Sequence, residues 1–109
     1  MTIQIFGVKN SQATRAAERF FKERRATIQL IDLTKKPMAP GEIKRFIDRF
    51  TLTGLVDREN PSIKYLKLTD ADLLAKIERE PKLLHLPLVR AANRLSIGHD
   101  EASWKAMLA

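Results

Sequence analysis

Two short β-prone runs bracket one long amphipathic helix at the start of the chain, and this spacing constrains the fold more than any other feature. Residues 2–7 carry Ile3, Ile5 and Phe6 and end at Gly7, the pattern of a strand stopped by a turn residue. Asn10-Ser11 offers an N-cap. Ala13, Ala16, Ala17, Phe20, Phe21 and Arg24 then recur at spacings of three and four, which predicts a helix over residues 11–25 with Ala and Phe on its buried face. Thr27, Ile28, Leu30, Ile31 and Leu33 form a second run. Its near lack of polar alternation predicts a strand covered on both faces. Strand, helix and strand in this order make a βαβ unit, with parallel strands and a right-handed crossover.

The remainder reads as helices and then a hairpin. Lys35 to Gly41 breaks structure, and Pro40 suits the first turn of a helix whose buried stripe is Ile43, Phe46, Ile47 and Phe50. Residues 51–62 are turn-rich, and a short helix is expected over Ser62 to Leu68. Thr69 with Asp72 three residues on resembles a capping box, opening a helix that buries Leu73, Leu74 and Ile77 and stops at Pro81. Leu88–Arg90 and Leu95–Ile97 are predicted as strands around an Ala92-Asn93 turn, closed by Gly98. Asp100 or Ser103 caps a final helix that buries Trp104, Met107 and Leu108. The order predicts an α/β fold with a mixed sheet of about four strands.

Composition narrows the chemistry. A chain of 109 residues supports one core, so a single domain over 1–109 is expected. Cysteine is absent, which removes disulfides, thiolate metal sites and thiol chemistry by the chain's own residues. Only His85 and His99 are present, so a histidine-rich metal site is excluded, and neither metal nor cofactor is expected. No apolar stretch approaches the roughly 20 residues of a membrane span, and no export signal is legible. A cytoplasmic monomer is the expectation. The net charge is +7, and residues 1–50 hold 11 of the 20 basic side chains but only 5 of the 13 acidic ones. A basic half suits an acidic partner or a solvated surface. Arg15, Arg19 and Lys22 share one face of the first helix. They are candidates to meet an acidic protein surface or phosphates. The aromatic interleaving of a single-strand binder is missing, so specific nucleic-acid binding is not expected.

Several segments together resemble the arsenate reductase–Spx family, which is related to glutaredoxin. They are Phe6-Gly7-Val8-Lys9-Asn10-Ser11, the run from Thr14 to Arg24, Gly54-Leu55-Val56-Asp57-Arg58, Leu84-His85-Leu86-Pro87-Leu88-Val89-Arg90, and Ile97-Gly98 followed by Trp104. The resemblance implies a thioredoxin-like fold with a helical insertion before the β-hairpin, and Pro87 as the family's cis-proline. It also implies that the position of the reductases' nucleophilic cysteine is held here by Ser11. The family's arginine before the cis-proline is replaced by Leu86. Arg58 matches another family arginine, and Arg94 lies near the place of a third. In Spx-like regulators a loop glycine in the region of Gly54 contributes to docking on RNA polymerase. A glycine that simply ends the second helix is the other reading of Gly54.

Two functions follow as expectations. The first is a protein that has lost redox catalysis and retains a binding or regulatory role, toward a protein or a small anion. Asn10, Ser11, Arg58, Pro87 and Arg94 are its candidate anion or thiol contacts, and Arg15, Arg19, Lys22 and Gly54 its candidate partner contacts. Ser11 has a plainer role open to it as a helix cap. Catalysis by serine would need a general base, and no Ser-His-Asp pattern is legible around His85 or His99. The second function is an oxidoreductase or transferase that uses an external thiol such as glutathione, held between Ser11, Arg58 and Pro87.

Overall fold

The structure, a computed structural model, describes residues 2–109. Residue 1 of the expected domain lies outside the described residues. The βαβ unit forms where its periodicities place it: β1 is Thr2–Gly7, α1 is Gln12–Glu23 and β2 is Thr27–Asp32. β1 and β2 run parallel, with Ile3 opposite Ile28 and Ile5 opposite Leu30. Four helical segments follow: α2 (Pro40–Phe50), α3 (Leu52–Leu55), α4 (Asp70–Arg79) and a 3-10 turn over Pro81–Leu83. The hairpin β3 (Leu88–Ala91) and β4 (Arg94–Ile97) then leads to α5 (Glu101–Met107). β3 pairs antiparallel with β1, and the sheet order is β2-β1-β3-β4. Among the described residues no helix is long and apolar enough to cross a membrane.

The period-2 alternation of β1 divides the core. Ile3 and Ile5, with Val89 and Ala91 of β3, pack against Ala17, Phe20 and Phe21 of α1 and Trp104 and Met107 of α5. Phe6 and Leu88 face the other way, toward Phe46 of α2, Leu52 and Leu55 of α3, and Leu73 and Ile77 of α4. Gln4 and Arg90 share that second face. Arg90 donates to Glu42 of α2 at 3.0 Å and to Gln4 at 3.3 Å, so a charged residue under a helix is paired rather than stranded.

Four sequence expectations are corrected. β2 is not covered on both faces: it is an edge strand, and Thr27, Gln29 and Leu30 are exposed. The reason is topological: β3 takes the other side of β1 and leaves β2 at the margin of both core layers, where Ile28 packs on one and Ile31 on the other while those three residues are left exposed. Residues Ser62 to Leu68 form turns and irregular chain, not a helix, with Asn60 closing the first turn onto the Ser62 N–H at 2.9 Å. Leu108 follows the last helical residue and is 37% exposed. The break after α2 is made by Thr51 at φ 66°, while Gly54 sits inside α3. Thr51 Oγ1 there accepts the Gly54 N–H at 3.1 Å, so the side-chain bond offsets an unfavourable backbone angle.

Candidate functional site

The site begins at Gly7. A Cβ there would overlap the side chain of Thr14, which is buried in the first turn of α1. Glycine therefore lets the start of α1 press against the end of β1. The loop between them is tied by the Ser11 N–H donating to Val8 O at 3.1 Å. Ser11 has extended backbone angles and its Oγ accepts the Thr14 N–H at 3.2 Å. It is an N-cap, with one acceptor site of its hydroxyl committed to the helix.

The opposite wall is the segment entering β3. The Asp57 N–H donates to Leu83 O at 2.7 Å and the His85 N–H to Leu55 O at 2.8 Å, which ties the end of α3 to the residues before Pro87. The Leu86–Pro87 peptide is cis. Gly98, at φ 69°, donates its N–H to His85 O at 2.9 Å and Pro87 O at 3.0 Å. A side chain would be strained at that φ. The hairpin end is thereby fastened over the same segment.

Between these walls lies an open cleft of about 430 Å³, lined by Asn10, Ser11, Asp57, Lys82, Leu86, His85 and His99. His99 packs against Trp104 with ring centroids 5.0 Å apart and planes tilted by 37°, and its Nε2 lies 3.3 Å from Glu101 Oε2. Among the described residues no hydrogen bond joins Ser11 to either histidine. Beside the cleft Asp100 caps α5. The Ser103 hydroxyl at 2.6 Å and then the Ser103 N–H at 3.1 Å hold its carboxyl below the ordinary value of 3.8, against an opposing effect of burial.

Of the expected contacts, the structure brings Asn10 and Ser11 into the cleft, with Pro87 buried behind Leu86. It does not bring Arg58 or Arg94 there. Asp57 takes the place on the cleft wall, and Arg58, one residue on in a turn, lines a separate hollow with Ile63, Leu66 and Leu73. Arg94 opens β4 on the far edge of the sheet and donates to Ala106 O of α5. The basic stripe on α1 is not three free cations either. Arg15 Nε donates back to Lys9 O at 2.8 Å, and Lys22 lies 3.4 Å from Glu18, while Arg19 is exposed. Lys82 and Asp57 were not foreseen as site residues. Residues 57, 82, 85 and 99 come from three separate segments, only Lys82 and His85 sharing one, and no local motif links all of them.

The comparisons agree with this architecture. A family profile described as the ArsC family matches residues 6–107. An arsenate reductase from Vibrio cholerae is 17% identical, with a TM-score of 0.77 over 99% of this chain and 97% of that one. An arsenate reductase (ArsC) related protein from Brucella melitensis is 18% identical, with a TM-score of 0.72 over 97% and 93% of the two chains. A protein described as YffB is 15% identical and superimposes with a TM-score of 0.83 over 98% and 99%. The chain matches no curated protein. At these identities the structural likeness shows the fold alone, which is thioredoxin-like α/β with a four-stranded mixed sheet.

Proposed function

The chain belongs to the ArsC family, and we propose that within it this protein binds a small oxyanion in the cleft at the start of α1 without reducing it. The observation that carries this reading is Ser11, a capping serine at the cleft floor in a chain with no cysteine. Reduction of arsenate by the protein's own nucleophile needs a thiolate that attacks and is then oxidised. A serine hydroxyl has a far higher pKa and no such redox step. A helix N-terminus stabilises an anion by at most about 2 kcal/mol, too little to ionise it.

Binding is a lighter demand. Lys82, His85 and His99 line the cleft beside the first turn of α1, with Asp57 opposing them. Asp57 balances the charge of Lys82, so it is the N–H donors of Lys82, the histidines and the α1 start that favour a small anion, and the lack of net positive charge limits its affinity. Leu86, which the family resemblance sets in place of an arginine, is buried and supplies no charge. We read residues 1–109 as one domain acting as a cytoplasmic monomer, with only weak, sequence-independent affinity for nucleic acid.

A second reading keeps catalysis and brings the sulfur from outside. It is favoured by the cleft being open and partly polar against Leu86, as a bound thiol such as glutathione would require. Calorimetric titration with phosphate, arsenate and sulfate, paired with an arsenate turnover assay containing glutathione, separates the two. The binding reading expects weak oxyanion binding, reduced about tenfold in Lys82→Met (about 1.4 kcal/mol), and no turnover. Glutathione-dependent turnover by the unaltered protein would establish the second reading instead.

A further inference from the structure

β2 is the feature left unexplained by the cleft. Its sequence, Thr27-Ile28-Gln29-Leu30-Ile31-Asp32, is that of a covered strand, yet it lies at the sheet edge with Leu30 37% exposed. Edge strands are ordinarily blunted by lysine, proline, bulges or a covering element. β2 has no lysine, proline or glycine, and its register against β1 runs unbroken through six pairs. Its one charge, Asp32, is turned onto Thr34, accepting that residue's N–H at 2.9 Å and hydroxyl at 2.6 Å.

The free backbone groups can be placed. The Leu33 N–H donates to Gly7 O at 2.9 Å, toward β1. Alternation then turns Ile31 and Gln29 toward β1 as well. The N–H and C=O of Ile28 and Leu30, and the N–H of Asp32, face the open side. Among the described residues no backbone or side-chain group bonds to them. On the sheet face next to this edge lies a groove of about 550 Å³, in which Gln29 and Ile31 of β2 and the cations Lys35 and Lys36 meet Phe6 of β1 and the acid Glu42 of α2. It shares no residue with the cleft.

We propose that the open edge of β2 is a docking site for an extended acidic segment of a partner protein, which adds to the sheet as a fifth strand. Main-chain bonds to Ile28, Leu30 and Asp32 supply the pairing, and alternate side chains of the segment enter the groove. Charge selects the occupant. Exposed Arg25 stands just before β2, and exposed Lys35 and Lys36 just after it, so both ends of the edge attract acidic side chains. The same charges oppose a second copy. Antiparallel self-pairing would lay Arg25 of one molecule beside Lys35 and Lys36 of the other, between molecules that each carry +7.

The test is titration of the full chain with a synthetic peptide that alternates valine and glutamate, followed by amide NMR and hydrogen exchange. The Ile28, Leu30 and Asp32 amides are expected to shift and to gain protection, with affinity falling as salt is raised. Lys35→Glu with Lys36→Glu, both on the surface, weakens binding about tenfold or more. Leu30→Pro abolishes it, because the lost N–H is one that β1 does not use. If that variant fails to fold, Leu30→Lys serves, since a lysine on the edge blocks strand addition. The proposal is overturned if the peptide does not bind, if a valine–lysine peptide binds as well, or if the shifts fall on Ser11 and His85. Concentration-dependent dimerisation through β2 in sedimentation would overturn it in favour of a second copy.

Discussion

On the α1 side of the sheet, Phe20, Phe21 and Trp104 meet with ring centroids 5.2, 5.4 and 6.1 Å apart. On the α2 side, Phe6 and Phe46 meet edge-on at 6.2 Å, and the rest of the packing is largely aliphatic. The first face is closed by two helices. The second is assembled from α2, α3, α4 and the loops between them. It encloses an ion pair, Arg90 with Glu42, and leaves a hollow of about 170 Å³ beside Met38, Ile43, Leu74 and Ile77. The difference assigns separate tasks to the two halves. The aromatic face fixes α1, and so fixes Ser11. The aliphatic face carries Asp57 and Lys82, the charged groups of the cleft wall, with His85 beside them.

The sharpest way to break this contrast is to remove Trp104, which is fully buried. Trp104→Ala should cost about 3–5 kcal/mol in denaturant unfolding and should disturb the cleft, since His99 packs against that ring. A loss below about 1 kcal/mol would show that the aromatic face does not anchor the molecule. Next in size is Gly7→Ala. The new methyl meets the buried Thr14 side chain, so overpacking of about 1–3 kcal/mol is expected. Amide shifts should centre on Asn10 and Ser11, and shifts confined to β2 would refute the positioning role of Gly7.

A pair of enlargements sharpens the comparison further. Ala17→Val, on the closed α1 face, should destabilise by about 1–3 kcal/mol, whereas Leu74→Phe, beside the hollow, should stay within about 1 kcal/mol. Equal costs would erase the distinction in packing. The smallest effect expected is at Asp100. Its carboxyl titrates below the ordinary 3.8 when folded because the Ser103 hydroxyl, and then the Ser103 N–H, donate to it. A folded pKa below the unfolded one gives stabilisation that is complete above the unfolded value and is lost as pH falls through the folded value. Asp100→Asn keeps a good cap but does not titrate. The difference in Tm between the two proteins should therefore narrow on acidification below about pH 4 and remain flat above it.

Sequence periodicity located the α1 face closely, because α1 carries its whole apolar stripe in consecutive turns and Trp104 sits in a capped helix. β2 misled for a physical reason. An apolar run records a strand's preference for pairing and cover but not which neighbours the topology supplies, and β3 had already taken the far side of β1. The cleft was legible only at Asn10, Ser11 and the residues around Pro87, where a cap and a turn leave local signals. Asp57 and Lys82 left none, since their meeting depends on the Asp57–Leu83 backbone bond, which no spacing encodes. Arg58 was expected one residue away from the group that actually faces the cleft, a displacement that a turn makes easily.

The claim that the cleft holds an anion without the chemistry is tested most directly at Ser11. Ser11→Cys places a thiol at the start of α1, where the helix N–H groups should draw its pKa below the usual value of about 8.5. Alkylation by iodoacetamide and arsenate turnover, measured on this one variant, give the decision. The account predicts faster alkylation than in the denatured chain and no arsenate turnover, with activity arising, if at all, only once Leu86→Arg is added. Arsenate turnover by Ser11→Cys alone would contradict it, for Leu86 would then be no bar to reduction and the weakly binding cleft would already hold an oxyanion in reacting position.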